Sequence, residues 1–164
     1  KTGALIVIEN NVPLGEYERT GITLDALVSS QLLLNIFEHN TPLHDGAIIV
    51  RDNRVVSATC YLPLSDNMTL SKELGTRHRA AVGISEVSDA MTVVVSEETG
   101  KISVAKDGTL IADVREDALK KILIKNVVLC WQLECLQCFL QALFMRGQFL
   151  RCPSRQSTAS AILH

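Results

Sequence analysis

The sequence predicts an α/β (α+β) domain in which helices flank a central mixed β-sheet. Three observations predict this fold class. Short apolar runs alternate with stretches at helical spacing between residues 3 and 113. Two pairs of apolar runs are joined by short polar turns, as in β-hairpins. A hydrophobic content of 47% with 21% charged residues is typical of a globular chain and excludes a disordered one.

The first half of the chain predicts a strand, a helix and a hairpin. The strand is expected over residues 4–9, an apolar run that ends in two asparagines. The helix is expected over residues 24–39, where apolar residues recur near helical spacing and Thr23 is available as N-cap. The hairpin pairs residues 47–50 with residues 55–62 around an Asp-Asn turn.

The second half predicts another helix and a second hairpin. After a polar loop, the helix is expected to begin at Thr76 and to run to about Val87. Residues 91–96 and 101–105 flank Glu-Glu-Thr-Gly and are expected to pair. An Asp-Gly turn then leads into a short strand over 109–112.

Composition divides the chain into a domain at 1–124 and an atypical C-terminal segment at 125–164. From residue 126 onward the sequence holds one acidic residue, three arginines, four of the five cysteines and the only tryptophan. Two interpretations stay open for this segment. In the first, residues 127–150 are expected to form an amphipathic or membrane-adjacent helix that is too polar for a transmembrane span. In the second, the segment is a non-native or disordered extension. Because the chain starts at Lys1 without a signal peptide, we also expect a fragment of a longer protein.

Charge and motif content exclude several functional classes. A net charge of −2 and an isoelectric point near 6.1 give no electrostatic footprint for nucleic acid. The sequence has neither a P-loop motif nor a dinucleotide-binding glycine motif. Cys135 and Cys138 have C-x-x-C spacing without a second ligand pair, which favours ordinary thiols over a zinc or redox site.

The motif His44-Asp45-Gly46-Ala47 places a carboxylate immediately before a predicted strand. A carboxylate in this position can bind a divalent ion and polarise an attacking hydroxyl group. Gly46 and Ala47 are small enough for a ligand to approach the backbone. The alternative is an ordinary Asp-Gly turn with His44 as a loop residue.

The motif Gly75-Thr76-Arg77-His78-Arg79 predicts an anion site at a helix start. Thr76 as N-cap leaves backbone N–H groups unpaired, and Arg77 and Arg79 add guanidinium groups suited to phosphate. The alternative is a solvated cationic turn paired with Lys72-Glu73.

Two further loops are candidates for the same site. Ser96-Glu97-Glu98-Thr99-Gly100 is either an ordinary acidic hairpin or a source of metal and phosphate contacts. Tyr61-Leu62 at a strand end offers an aromatic and apolar face to a base, or belongs to the core.

Taken together, these four motifs resemble the diadenylate cyclase domain, in particular the membrane-anchored class of Gram-positive bacteria. The resemblance covers residues 1 to about 124 and does not extend into the C-terminal segment. It implies a fold like that of the DisA N-terminal domain. It also implies condensation of two ATP molecules into cyclic di-AMP, with release of two pyrophosphates and with Mn²⁺ or Mg²⁺ (Co²⁺ as a further option) as cofactor.

The resemblance also implies a role for each motif residue. Asp45 would activate the 3′-hydroxyl with help from a metal. The implied catalytic set is Asp45, Gly46, Ala47, Arg77, His78 and Arg79, with a structural role as the alternative for His78. The implied ATP-binding set is Tyr61 and Leu62 at the adenine, with Gly75, Thr76, Arg77, Arg79, Ser96 and Glu97 at the phosphates. The implied metal neighbours are His44, Asp45 and Glu98.

The resemblance implies partners and a location as well. Each domain would hold one ATP, so that a homodimer with a second copy is needed for catalysis. A membrane regulator and phosphoglucosamine mutase are implied partners, and nucleic acid is not. The full-length protein would be anchored in the cell membrane with this domain facing the cytoplasm, while the fragment itself would be soluble. The alternative function is a non-catalytic ATP-binding regulatory or interaction module of the same fold.

Overall fold

A computed structural model describes residues 2–68, 70–71 and 74–126. In this part of the chain seven strands form one sheet, accompanied by four helices. The strands are β1 (Ala4–Ile8), β2 (Ile22–Leu27), β3 (Ala47–Arg51), β4 (Arg54–Cys60), β5 (Met91–Val95), β6 (Ile102–Lys106) and β7 (Thr109–Ile111). The helices are α1 (Gly15–Glu18), α2 (Ser30–Ile36), α3 (Thr76–Val87) and α4 (Glu116–Asn126).

The sheet is mixed, as the sequence predicts. Its strand order is β2-β4-β3-β1-β5-β6-β7, with β1 at the centre. Strand β1 is parallel to β3, and every other neighbouring pair is antiparallel. The hairpins β3–β4 and β5–β6 lie where the two predicted hairpins were placed.

Both faces of the sheet are covered, which explains why the central strand β1 is apolar and buried along its whole length. On one face, Ile6 and Ile8 of β1 belong to a cluster that includes buried leucines of α2 and α4. On the other face, Leu5 and Val7 pack in a second cluster with α3. Alternate residues of β1 therefore point into two separate cores.

The helix predicted over residues 24–39 is wrong in its first part. Ile22–Leu27 is strand β2, which pairs with β4 at the edge of the sheet. Helix α2 begins only at Ser30, because the side chain of Ser29, rather than Thr23, accepts a hydrogen bond from the Leu32 amide at 3.1 Å. Pairing with β4 gives Ile22, Thr23, Ala26 and Leu27 register partners, with an irregularity between Thr23 and Ala26. Tertiary context thus overrides an apolar spacing that is close to helical.

Helix α4 was not predicted from the sequence. Its Leu119 and Leu123 side chains are fully buried in the first cluster. The helix reaches Asn126, two residues beyond the predicted domain boundary. The predicted features at 127–164 lie outside the described residues. Among the helices that the structure describes, none is long and apolar enough to cross a membrane.

Candidate functional site

The register of the sheet brings three of the predicted motifs to one end of its strands, and this end is the edge meant below. Ala47 at the start of β3 pairs with Cys60 at the end of β4. Ala4 at the start of β1 pairs with Val95 at the end of β5. Asp45, Tyr61 and Ser96 each lie one or two residues beyond these strand ends, so they share this edge.

Helix α3 begins at the same edge. The guanidinium of Arg77 donates from Nη1 to Oε2 of Glu97 at 2.6 Å. A Cβ atom built on Gly3 would lie 2.9 Å from Cζ of the same guanidinium. Since Gly3 precedes β1 and Glu97 follows β5, Arg77 is placed across the two central strands. The predicted anion site and the predicted acidic site are therefore on one edge of one sheet.

Gly46 fixes the path of the loop that carries Asp45. It has a φ of +106°, and a Cβ atom there would lie 2.8 Å from the carbonyl carbon of Thr59. Thr59 itself has a φ of +61°, at a register shift between β3 and β4. A side chain at Gly46 would collide with the backbone of β4, so glycine is required on both steric and dihedral grounds.

Asp45 is exposed, and its carboxylate makes no hydrogen bond or ion pair with a described residue. His44, next to it, is half-buried, with Nδ1 2.6 Å from the carbonyl oxygen of Thr41. A carbonyl can only accept a hydrogen bond, so Nδ1 carries a proton and Nε2 is the ring nitrogen that this contact leaves for a ligand. This orientation is the one that metal-binding histidines commonly adopt.

The start of α3 differs from the prediction in one respect. Gly75, with extended backbone, is the N-cap, and no side chain caps the helix. Thr76 is the first helical residue and is exposed, so its predicted role as N-cap is wrong. The amides of Thr76 and Arg77 have no intrahelical partner and are available to an anion.

The two arginines have different surroundings. Arg77 has a side chain that is 25% exposed, and its buried Nε has no hydrogen-bond partner. Arg79 is half-buried and donates from Nη1 to the carbonyl oxygen of Ser65 at 3.4 Å. Both guanidinium groups keep donors that are not used by these contacts, as a phosphate site requires.

His78 faces the interior rather than the edge. It is 8% exposed, and its Nε2 lies 3.5 Å from Oγ of Ser103 on β6. Burial lowers the pKa of His78, which favours the neutral imidazole. The placement supports the structural alternative for this residue.

Ser96 shapes the β5–β6 turn. Its hydroxyl accepts a hydrogen bond from the Thr99 amide at 3.2 Å, and its amide donates to the Lys101 carbonyl at 2.9 Å. Glu97 and Glu98 are both exposed. Glu97 pairs with Arg77, so its carboxylate takes a place on that arginine that a phosphate could also take.

Tyr61 and Leu62 differ in exposure. The Tyr61 side chain is exposed, and its amide donates to Oγ1 of Thr20 at 2.9 Å. Leu62 is half-buried against the second core cluster. Leu62 therefore anchors the segment, while Tyr61 is available to a ligand.

The predicted metal neighbours do not form one cluster within a single chain. In the described ranges, no three His, Cys, Asp or Glu side chains are grouped so that they could hold a metal ion. The sheet explains the separation, because Glu98 follows β5 and Asp45 precedes β3. These strands are two positions apart, or about 10 Å. Asp45 and His44 remain neighbours, and Glu98 is not brought to them.

Four contacts at this edge were not anticipated from the sequence. They involve Gly3 against Arg77, Glu97 as the partner of Arg77, Thr20 under Tyr61, and Ser65 against Arg79. Each joins residues at least 14 positions apart, so no local pattern signals them.

Comparison with a family model gives a match over residues 1–110. The family is DAC, described as the DisA bacterial checkpoint controller nucleotide-binding domain. The matched range contains all the predicted site residues.

Curated relatives are similar over the same part of the chain. The cyclic di-AMP synthase CdaA of Bacillus subtilis is 59% identical over 123 residues, which are 75% of this chain and 45% of that protein. A diadenylate cyclase of Listeria monocytogenes is 59% identical over 128 residues, which are 78% of this chain and 47% of that protein. The chain thus spans about half the length of these relatives.

Solved structures share the fold. DacA from Staphylococcus aureus, crystallised as a double mutant, matches with a TM-score of 0.76 and 52% identity, over 77% of this chain and 85% of that one. A hypothetical membrane spanning protein from Bacillus cereus matches with a TM-score of 0.66 and 50% identity, over 69% and 55% of the two chains.

Proposed function

The chain belongs to the DAC family of nucleotide-binding domains, and from this membership we propose that it is the catalytic domain of a diadenylate cyclase. The reaction condenses two ATP molecules into cyclic di-AMP and two pyrophosphates. One observation carries the proposal. An exposed carboxylate, Asp45, and an arginine-bearing helix start, at Arg77, share one sheet edge in a chain 59% identical to a cyclic di-AMP synthase.

The phosphate-binding part of the proposal rests on the start of α3. Arg77 and Arg79 supply guanidinium donors, and the amides of Thr76 and Arg77 point out of the uncapped helix end. We assign the triphosphate to this place, with the turn at Ser96 at its far end. Positioning and charge neutralisation are what an in-line displacement at phosphorus requires.

The adenine is assigned to Tyr61 and Leu62 at the end of β4. The exposed Tyr61 ring can stack on a base, and Leu62 adds an apolar surface that is anchored in the core. These residues follow the same strand whose Cys60 pairs with Ala47, so the base lies beside the loop of Asp45.

Asp45 is assigned to the attacking 3′-hydroxyl. Its carboxylate accepts a hydrogen bond from that hydroxyl and orients it towards an α-phosphate. The O3′–P bond forms, the bond from the α-phosphorus to the bridging oxygen breaks, and pyrophosphate leaves with that oxygen. Two such steps close the ring of cyclic di-AMP, and each releases one proton.

The residues at this edge fit a Mn²⁺ or Mg²⁺ ion that is shared with the substrate. The Asp45 carboxylate has no partner among the described residues, and the Thr41 carbonyl occupies Nδ1 of the adjacent His44 while leaving Nε2 for a ligand. Magnesium is usually held by one or two carboxylates together with substrate phosphates, rather than by a full set of protein ligands. Such an ion would neutralise charge on the phosphates and polarise the hydroxyl.

A second copy of the chain is part of the proposal. One domain that holds one ATP has no second 3′-hydroxyl and no second α-phosphate to join. Two copies that face each other through this sheet edge would bring the two nucleotides together.

For the full-length protein we propose a location at the membrane. One solved relative is described as a membrane spanning protein, which supports a membrane-anchored full-length protein. A membrane regulator and phosphoglucosamine mutase stay predictions from the family resemblance.

The dimer requirement provides a direct test. We expect the rate of cyclic di-AMP formation per protein molecule, measured with ATP and Mn²⁺, to rise with protein concentration. The face-to-face arrangement would be contradicted if the rate per molecule did not depend on protein concentration over the range in which the chain is monomeric. ATP binding without any cyclic di-AMP at high concentration would favour the non-catalytic module.

A further inference from the structure

A short segment joins the base side of the site to the phosphate side. Residues 63–65, here termed the strap, follow Tyr61-Leu62 directly and lie on helix α3. The strap belongs to no strand or helix. Its contacts with the helix that carries Arg77 and Arg79 are hydrogen bonds and close packing of backbone.

The backbone of the strap is bonded to the first turns of α3. The Ser65 amide donates to the carbonyl oxygen of Arg79 at 3.0 Å. Arg79 Nη1 in turn donates to the carbonyl oxygen of Ser65 at 3.4 Å. Arg79 thus contacts the strap through both its backbone and its side chain.

The strap lies unusually close to the helix. A Cβ atom on Gly83 would be 2.2 Å from the carbonyl oxygen of Pro63 and 2.8 Å from the Ser65 nitrogen. Backbone atoms cannot yield as a flexible side-chain end can. Only glycine at this helical position permits the approach, although it costs about 1 kcal/mol of helix propensity relative to alanine.

The side chain of Ser65 completes the attachment. Its hydroxyl is buried, donates to Oε1 of Glu86 at 2.7 Å and accepts from the Asn67 amide at 3.2 Å. Glu86 lies near the end of α3, so Ser65 connects the strap to both halves of the helix.

We propose that Ser65 is a positioning residue that fixes the separation between the adenine side and the triphosphate side of the nucleotide site. The inference rests on the proposed function. ATP spans both sides, and a ligand that spans two subsites gains affinity from both only when their separation is held fixed. Adenosine and tripolyphosphate each occupy one subsite, so their binding does not depend on that separation.

The chain offers matched variants. Ser65→Ala removes one donated and one accepted hydrogen bond from a buried hydroxyl. Ser85→Ala removes the same number, because Ser85 is buried on α3, donates to the Val82 carbonyl at 2.8 Å and accepts from the Gly108 amide at 3.2 Å. Both hydrogen bonds of the Ser85 hydroxyl therefore go to residues outside the strap.

Two substitutions of Glu86 provide a second comparison, in which no buried side chain is changed. Glu86 is exposed, so Glu86→Ala removes the acceptor of Ser65 without opening the core. Glu86→Gln keeps a carbonyl oxygen as acceptor and should restore wild-type behaviour. If Ser65 only stabilised the fold, its loss would weaken the binding of adenosine, tripolyphosphate and ATP alike.

The test is calorimetric titration of the whole chain and its four variants with ATP, adenosine and sodium tripolyphosphate. We expect Glu86→Ala, which removes one hydrogen bond of Ser65, to weaken ATP binding about fivefold. Ser65→Ala, which removes two, should weaken ATP binding at least as much. Both variants should bind adenosine and tripolyphosphate as the wild type does. Ser85→Ala and Glu86→Gln should bind all three as the wild type does.

Three results would overturn the inference. They are wild-type ATP affinity in Ser65→Ala, an equal loss in Ser85→Ala, or a loss for tripolyphosphate as large as that for ATP. Absence of ATP binding by the wild type would instead contradict the proposed function together with this inference.

Discussion

Nη1 of Arg77 lies 2.6 Å from Oε2 of Glu97, and this ion pair connects the first turn of α3 to the turn after β5. Gly3 lies against the same guanidinium, because a Cβ atom on Gly3 would be 2.9 Å from its Cζ. Arg77 is therefore held between an acidic residue and a bare backbone position, with its Nε buried and unpaired. The orientation of the Arg77 side chain is therefore set by Glu97 and Gly3.

Gly3→Ala should displace Arg77 while the fold is retained. The added methyl group would meet the end of a flexible side chain at 2.9 Å, so the guanidinium can move away without backbone strain. We expect ATP affinity to fall about fivefold, in the direction of Arg77→Ala, since one charged hydrogen bond is weakened. Calorimetric titration measures this effect.

The control for Gly3→Ala is Gly15→Ala, where the nearest atom to an added Cβ is 4.0 Å away. Its ATP affinity should match that of the wild type. Equal ATP affinity in both variants would show that the position of Arg77 is not set by Gly3.

Asp45→Asn should lower cyclic di-AMP formation at least about a hundredfold, because the amide cannot accept a proton as the carboxylate does. ATP binding should be largely retained, since the arginines of α3 are unchanged. The measurements are product formation with Mn²⁺ and ATP titration on the same preparations.

Asp52→Asn is the matched control. Asp52 is exposed in the β3–β4 turn at the opposite edge of the sheet and has a φ of +47°, which asparagine tolerates well. Near-normal product formation by Asp45→Asn would remove Asp45 from its assigned role, and an equal loss in Asp52→Asn would point to a general effect on folding.

Residues that are close in sequence made the prediction of this site possible. His44 to Ala47 and Gly75 to Arg79 each form a compact motif, and the hairpins that flank them follow from turn residues. What the sequence could not predict is contact between distant segments. Gly3 meets Arg77 from the far end of the domain sequence, and the β2–β4 pairing converts an expected helix into a strand.

His78 illustrates a second limit of sequence reasoning. It stands between two arginines that point to the site edge, yet the helical period turns it into the interior beside Ser103. The family resemblance implied a role in catalysis, with a structural role as the alternative, and the buried position of His78 beside Ser103 supports the structural role.

The lowered pKa of His78 predicts a pH dependence of stability. Because burial disfavours the imidazolium in the folded state, the unfolded state binds the proton more readily. The unfolding free energy is therefore unaffected by this titration above the pKa of the unfolded state, near 6.5, and it falls progressively as the pH drops below that pKa. Urea denaturation between about pH 7.5 and about pH 5.5 should show a smaller decrease of the unfolding free energy for His78→Gln than for the wild type. If the unfolding free energy decreased equally in the wild type and in His78→Gln, a buried neutral imidazole would be contradicted.

Helix α4 should contribute to the stability of the domain. Leu123 is fully buried while its neighbour Ile124 is 57% exposed. We expect Leu123→Ala to lower the unfolding free energy by about 2–5 kcal/mol. Ile124→Ala should change it by no more than about 0.5 kcal/mol. Denaturant titration measures both changes, and an equal loss of unfolding free energy in the two variants would contradict the packing of α4.

The central claim, that two ATP molecules are joined in one product, is tested most directly with a mixture of isotopes. The chain is incubated with Mn²⁺ and equal amounts of unlabelled ATP and uniformly ¹⁵N-labelled ATP, and the products are analysed by mass spectrometry. We expect cyclic di-AMP with neither, one or both of its adenosine units labelled, at a ratio of about 1:2:1, together with pyrophosphate. Products limited to AMP or ADP, or the absence of any cyclic di-AMP while ATP is bound, would contradict it.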